Sequence, residues 1–89
     1  MADLQITCIN RRRRRHDRYE GITHLGGAFG NWTREQVLLS VEKGERRFFI
    51  EHDGVRSDIG IVSGPHGPYL RAHANGEWND DLLEMPECS

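Results

Sequence analysis

The sequence predicts an α+β domain: a mainly antiparallel five-strand sheet in the order β-β-α-β-β-β, one helix on one face, and a short C-terminal helical turn. Three observations carry this. Short segments that alternate apolar and polar residues lie on both sides of a single stretch with helical spacing. Asp53-Gly54 and Asn75-Gly76 are dipeptides that accept positive φ, the mark of tight hairpins. The connections left over are short, which favours antiparallel neighbours.

Leu4, Ile6 and Cys8 alternate with Gln5 and Thr7, so the first strand is expected over residues 4–9. Tyr19 to Leu25 mixes β-formers with polar residues and gives the second, ended by Gly26-Gly27. The helix follows at Thr33 to Gly44, where Thr33 and Gln36 stand in the capping-box relation and Glu35 places negative charge at the positive end of the dipole. Val37, Leu38 and Val41 share one face of it, with Leu39 to the side. Three strands then come in quick succession, Arg46 to Glu51, Arg56 to Val62 and Tyr69 to Ala74, the last two joined by a longer loop from Ser63 to Pro68. Asn79 or Asp80 caps a closing turn that presents Leu82, Leu83 and Met85 to the core before Pro86 stops it.

Length and composition limit what such a chain does. Its 89 residues form one domain, 1–89, too small for two lobes with a cleft between them. The chain is 36% hydrophobic and 29% charged, with a mean hydropathy of -0.71, which suits a soluble globule. No apolar run exceeds three residues, the length of Val37-Leu38-Leu39, which is far too short to span a bilayer, so no membrane association is expected. Asp3 interrupts the place where a secretory signal turns apolar, giving a cytoplasmic address by default.

The net charge of -2 conceals an asymmetry. Residues 1–50 hold ten basic against six acidic residues, whereas residues 51–89 hold two against eight. Most of the basic excess is one stretch, Arg11, Arg12, Arg13, Arg14, Arg15 and Arg18, in a loop at 11–18 between the first two strands. A run of this kind stays in water. Guanidinium forks match phosphate geometry, so nucleic-acid backbone or another polyanion is the expected partner.

Weaker constellations point elsewhere. The stretch from Leu25 to Thr33 reads as a strand running through a glycine-rich turn into a helix start, where backbone N–H groups of Gly26, Gly27, Gly30 and Thr33 could hold an anion. It lacks the lysine of a nucleotide-binding loop. Cys8 and Cys88 are expected as reduced thiols, at a separation that fits neither a zinc spacing nor a redox motif. If the termini meet, a bridge becomes geometrically possible and would contribute roughly 4 to 5 kcal/mol in the chain-entropy picture. The same convergence would bring Cys8, Cys88 and His24 together as metal ligands, although no metal and no cofactor is expected. Neither Cys8 with His24 nor Ser63 with His66 sits in a recognisable nucleophile setting, so no catalytic residue is assigned.

In order along the chain, Ile6 to Asn10 (ITCIN), Ile22 to Gly27 (ITHLGG) followed by Trp32, Val41 to Gly44, the FFI and YLRA strands and Leu82 to Cys88 (LLEMPEC) resemble a small bacterial single-domain family of unknown function. The resemblance spans nearly the whole chain and implies a stand-alone domain with no assigned reaction or ligand. The arginine run is not part of the resemblance. The expected function is therefore a non-enzymatic accessory protein that contacts a polyanion. The alternative is a protein-interaction or homodimerisation module, with Phe49, Ile50, Ile59 and Ile61 feeding apolar side chains to both faces of an open sheet.

Overall fold

The computed structural model describes residues 3–12, 19, 21–65 and 67–88. Its strands are β1 (Asp3–Gln5), β2 (Cys8–Arg11), β3 (Ile22–Gly27), β4 (Gly30–Thr33), β5 (Arg47–His52), β6 (Val55–Gly64), β7 (Gly67–Ala74) and β8 (Glu77–Asn79). One helix, α1 (Arg34–Glu42), and a terminal 3-10 helix (Asp81–Glu84) complete the α+β fold.

The strands form two sheets rather than the one expected. A five-stranded sheet runs β1-β5-β6-β7-β8, and a three-stranded sheet runs β2-β3-β4. The larger sheet is mixed, because β1 lies parallel to β5 while its other pairings are antiparallel. The expected first strand therefore divides: Ile6 N–H donates to Phe49 O at 2.8 Å and Thr7 N–H to Gly26 O at 2.8 Å, so one extended segment changes sheets between neighbouring residues. Ile6, fully buried, is the point of exchange.

The second expected strand also continues further than its glycines suggested. β3 passes through Gly26 and Gly27, turns at Ala28 and Phe29, and pairs with β4 in the register Leu25↔Trp32 and Gly27↔Gly30. Pro68 lies inside β7, opposite Ser63, so the expected long loop contracts to residues 65–66. β8 pairs with Ala72 to Ala74, so among the described residues Pro68 occupies a part of β7 with a strand on one side only.

Local rules account for the rest. Thr33 Oγ1 accepts from Gln36 N–H at 3.2 Å and Gln36 Oε1 accepts from Thr33 N–H at 2.9 Å, completing the capping box. Asp53 and Gly54 both take positive φ, 52° and 77°, as a two-residue hairpin of this kind demands. Val37, Leu25, Phe48, Ile50, Leu70 and Leu82 are buried in one core between the sheets and α1. Ile50, Ile59 and Ile61 belong to that side while Phe49 faces away, so the four residues are divided between the two faces of the sheet. Asn79 Oδ1 accepts from Asp81 N–H at 3.0 Å to start the 3-10 helix.

Candidate functional site

The basic run begins where β2 ends. Arg11 is the last residue of β2, opposite Ile22 of β3, and both Arg11 and Arg12 are exposed. Arg12 N–H donates to Gly21 O at 2.7 Å, so the two strands are still joined at the base of their connection. Arg13, Arg14, Arg15 and Arg18 lie outside the described residues. On the far side of the run, Tyr19 stacks on Tyr69 of β7 with ring centres 5.3 Å apart, and the Arg71 guanidinium lies 5.3 Å from the Tyr19 ring centre. The connection is thereby fixed at both ends, once to β3 and once to the larger sheet.

A groove of about 260 Å³ runs beside that base, lined by Arg12, Ile22, Thr23, His24, Thr33, Arg34 and Glu35. Arg34 Nε lies 3.9 Å from Glu35 Oε2, and His24 Nδ1 is 3.1 Å from Thr23 Oγ1. A larger groove of about 420 Å³ lies where α1 ends, lined in part by Val41, Gly44, Arg46, Arg47 and Phe48. Arg46 packs its guanidinium 5.0 Å from the Trp32 ring centre.

The glycine-rich stretch differs from the anion seat expected of it. Gly26, Gly27 and Gly30 are members of the β3–β4 hairpin rather than of a loop leading into α1. Thr33 does start the helix, but its hydroxyl accepts from Gln36 N–H. The aromatic residues divide likewise: Phe48 is buried, Trp32 and Phe29 pack edge-on around it, and Trp78 on β8 is 45% exposed beside His73.

The cysteines depart from the expectation of free thiols. Cys8 and Cys88 are joined in a disulfide, with their Cα atoms 4.9 Å apart. The termini meet because the tail lies along β2: Ile9 N–H donates to Pro86 O at 2.9 Å, and Cys88 N–H donates to Ile9 O at 3.1 Å. Sulfurs bonded to one another do not serve as metal ligands with His24, and among the described residues no three His, Cys, Asp or Glu side chains form a metal-binding group. Cys8 is likewise no free nucleophile for His24, and His66, paired in sequence with Ser63, lies outside the described residues.

Acidic groups of the molecule find partners in its second half. Arg56 bridges Asp3 at 2.6 Å and Asp58 at 3.1 Å, and Arg71 Nη2 donates to Asp80 at 3.1 Å. Residues 5–86 match the family described as Protein of unknown function (DUF3892). The chain belongs to that family. No curated protein and no solved structure matches it. The DUF3892 span takes in α1, the three-stranded sheet with the whole β2–β3 connection, and the larger sheet except for Asp3 and Leu4 of β1, and its description names no reaction and no ligand. Among the described residues of this DUF3892 chain, no helix is long and apolar enough to cross a membrane.

Proposed function

We propose that this DUF3892 chain is a non-enzymatic accessory protein that binds a polyanion, nucleic-acid backbone foremost, through Arg11 to Arg15 and Arg18. The observation that supports this reading is the anchoring of the β2–β3 connection: Arg12 is tied to Gly21 at one end and Tyr19 is stacked on Tyr69 at the other. A basic segment held at both ends loses less freedom when it binds than a free tail would. Arg11 and Arg12 enter it from an exposed strand end, and the carboxylates of Asp3 and Asp58 are engaged by Arg56. A cytoplasmic setting, where nucleic acid is the abundant polyanion, belongs to the same proposal. There the disulfide would face a reducing thiol pool.

The test is binding of a duplex oligonucleotide across a salt series, with the five consecutive arginines replaced by glutamine as the comparison. If three guanidinium groups contact phosphates, log affinity falls with log salt with a slope of about -3, and the replacement removes it. Binding that ignores salt, or none at low salt, overturns the proposal. Light scattering on the free protein runs alongside: a monomer is expected, and salt-sensitive dimerisation with no oligonucleotide binding moves the assignment to a homodimerisation module.

A further inference from the structure

We propose that the groove at the end of α1 binds a small organic acid, one carboxylate on an apolar body, and that Arg46 and Arg47 take the carboxylate. The inference does not depend on polyanion binding. It starts from a gap in the larger sheet. β6 pairs with β7 from Asp58 to Gly64, whereas its pairing with β5 stops at Phe49↔Asp58. From Ile59 onward, among the described residues, no strand lies along the β5 side of β6. The groove of about 420 Å³ opens where the two strands part, with Phe48 and Ile59 closing its floor and Val41 of α1 on one wall. That volume lies within the range of small-ligand pockets, roughly 300–1,000 Å³.

The charges around this floor favour an anion. Arg46 and Arg47 line the groove and are both exposed. Among the described residues, no carboxylate comes within ion-pair distance of either. The nearby acids are engaged by a different cation: Arg56 bridges Asp58, which lines the groove, at 3.1 Å, and Asp3, the register partner of Arg47, at 2.6 Å. The end of a helix would ordinarily repel an anion through its carbonyl groups. Here Leu39 O, Ser40 O and Val41 O accept from the N–H groups of Lys43, Glu45 and Gly44 at 2.9, 3.0 and 3.1 Å.

One of the two forks is also held in advance. The Arg46 guanidinium lies 5.0 Å from the Trp32 ring centre, and a guanidinium set against an aromatic ring keeps its N–H edge for a planar acceptor. A carboxylate matches that edge with two parallel hydrogen bonds. A fork already positioned loses less freedom on binding. On the β7 side the groove is lined by His73, whose ring packs edge-on against Trp78 with centres 5.1 Å apart. Apolar floor and paired cations together suit an amphipathic acid.

Titration of the protein with octanoate, phenylacetate and indole-3-acetate, followed by amide chemical shifts, tests this. At least one acid is expected to give saturable shifts at Gly44, Phe48 and Ile59 at about millimolar concentration. Its neutral amide, indole-3-acetamide in the case of indole-3-acetate, should bind about tenfold more weakly, because it lacks the charge that strengthens each hydrogen bond. R46Q/R47Q should weaken the acid by a similar factor and leave the amide unchanged. No saturable shift at the groove with any of the three acids overturns the proposal. Equal affinity for acid and amide overturns it equally, and that comparison uses the wild-type protein alone, so it stands even if the double variant misfolds. Undiminished acid binding by a folded R46Q/R47Q removes the two arginines from the site and overturns the assignment. No oligonucleotide is present in any arm, so failure here is distinct from failure of polyanion binding.

Discussion

Gly26 lies so close to Cys8 that a single added carbon would stand 2.8 Å from its sulfur, inside any normal contact distance. The requirement is one of space. Gly26 is not among the residues with positive φ, so its backbone suits any side chain. The neighbouring Gly27 is tighter still, since its Cβ would strike the backbone oxygen of Gln5. Gly26→Ala is therefore expected to lower the unfolding free energy measured in urea by about 1–3 kcal/mol, the range for overfilled sites. Repeating the substitution in C8S/C88S should recover most of the loss, because the smaller oxygen yields room. Equal losses in both backgrounds would mean that the sulfurs are not what excludes the methyl group.

Asp3 and Arg56 provide a pH-dependent contact. Arg56 Nη2 donates to Asp3 Oδ2 at 2.6 Å, joining β1 to β6 across β5, while its guanidinium lies 4.1 Å from the Phe49 ring centre. That hydrogen bond holds the Asp3 carboxyl below the usual carboxylate range, with burial opposing it and the charges of Arg56 and Arg47 reinforcing it. A carboxyl with a depressed folded pKa stabilises above its unfolded pKa and loses that contribution as pH falls through the folded value. The urea midpoint of Asp3→Asn should thus fall below wild type at pH 7, and the gap should close below about pH 4. A gap of constant size at both pH values refutes the assignment.

The 3-10 helix is an anchor only if Leu82 bears weight in the core. Leu82 is 0% exposed, whereas Leu39 on the outer side of α1 is 50% exposed. Leu82→Ala should cost about 2–5 kcal/mol in urea unfolding. Leu39→Ala should stay within about 0.5 kcal/mol. If the two variants behaved alike, the C-terminal segment would be dispensable to the core.

Features set by nearest neighbours are readable in the sequence. The capping box at Thr33 and Gln36 involves residues three apart, and the Asp53-Gly54 turn needs only two residues that tolerate positive φ. β4 escapes notice because GNWT contains a glycine and an asparagine, both poor strand formers, and forms by pairing with β3. The exchange of sheets at Ile6 is equally hidden: Leu4, Ile6 and Cys8 alternate in the same way whichever sheet receives them. The disulfide depends on a contact between β2 and a tail some eighty residues away, which no local pattern encodes. Of the candidate site, the position of the basic run at a strand end was legible from alternation on either side of it. Its anchoring through Tyr19 on Tyr69 was not, because that stack joins segments fifty residues apart.

Two pairs of arginines separate the candidate surfaces. Arg11 and Arg12 open the β2–β3 connection, while Arg46 and Arg47 line the groove at the end of α1. Each phosphate contact adds about -0.9 to the slope of log affinity against log salt on duplex DNA. R11Q/R12Q should therefore make the slope shallower by roughly 2 if both residues touch phosphate. R46Q/R47Q should leave it unchanged, since Arg46 is packed against Trp32 on a different part of the surface. The comparison holds net charge constant, because each variant removes two positive charges. A general response to protein charge would weaken both alike, and a larger effect from R46Q/R47Q would transfer the polyanion site to the α1 groove. Measuring both slopes on one oligonucleotide distinguishes local contact from overall electrostatics.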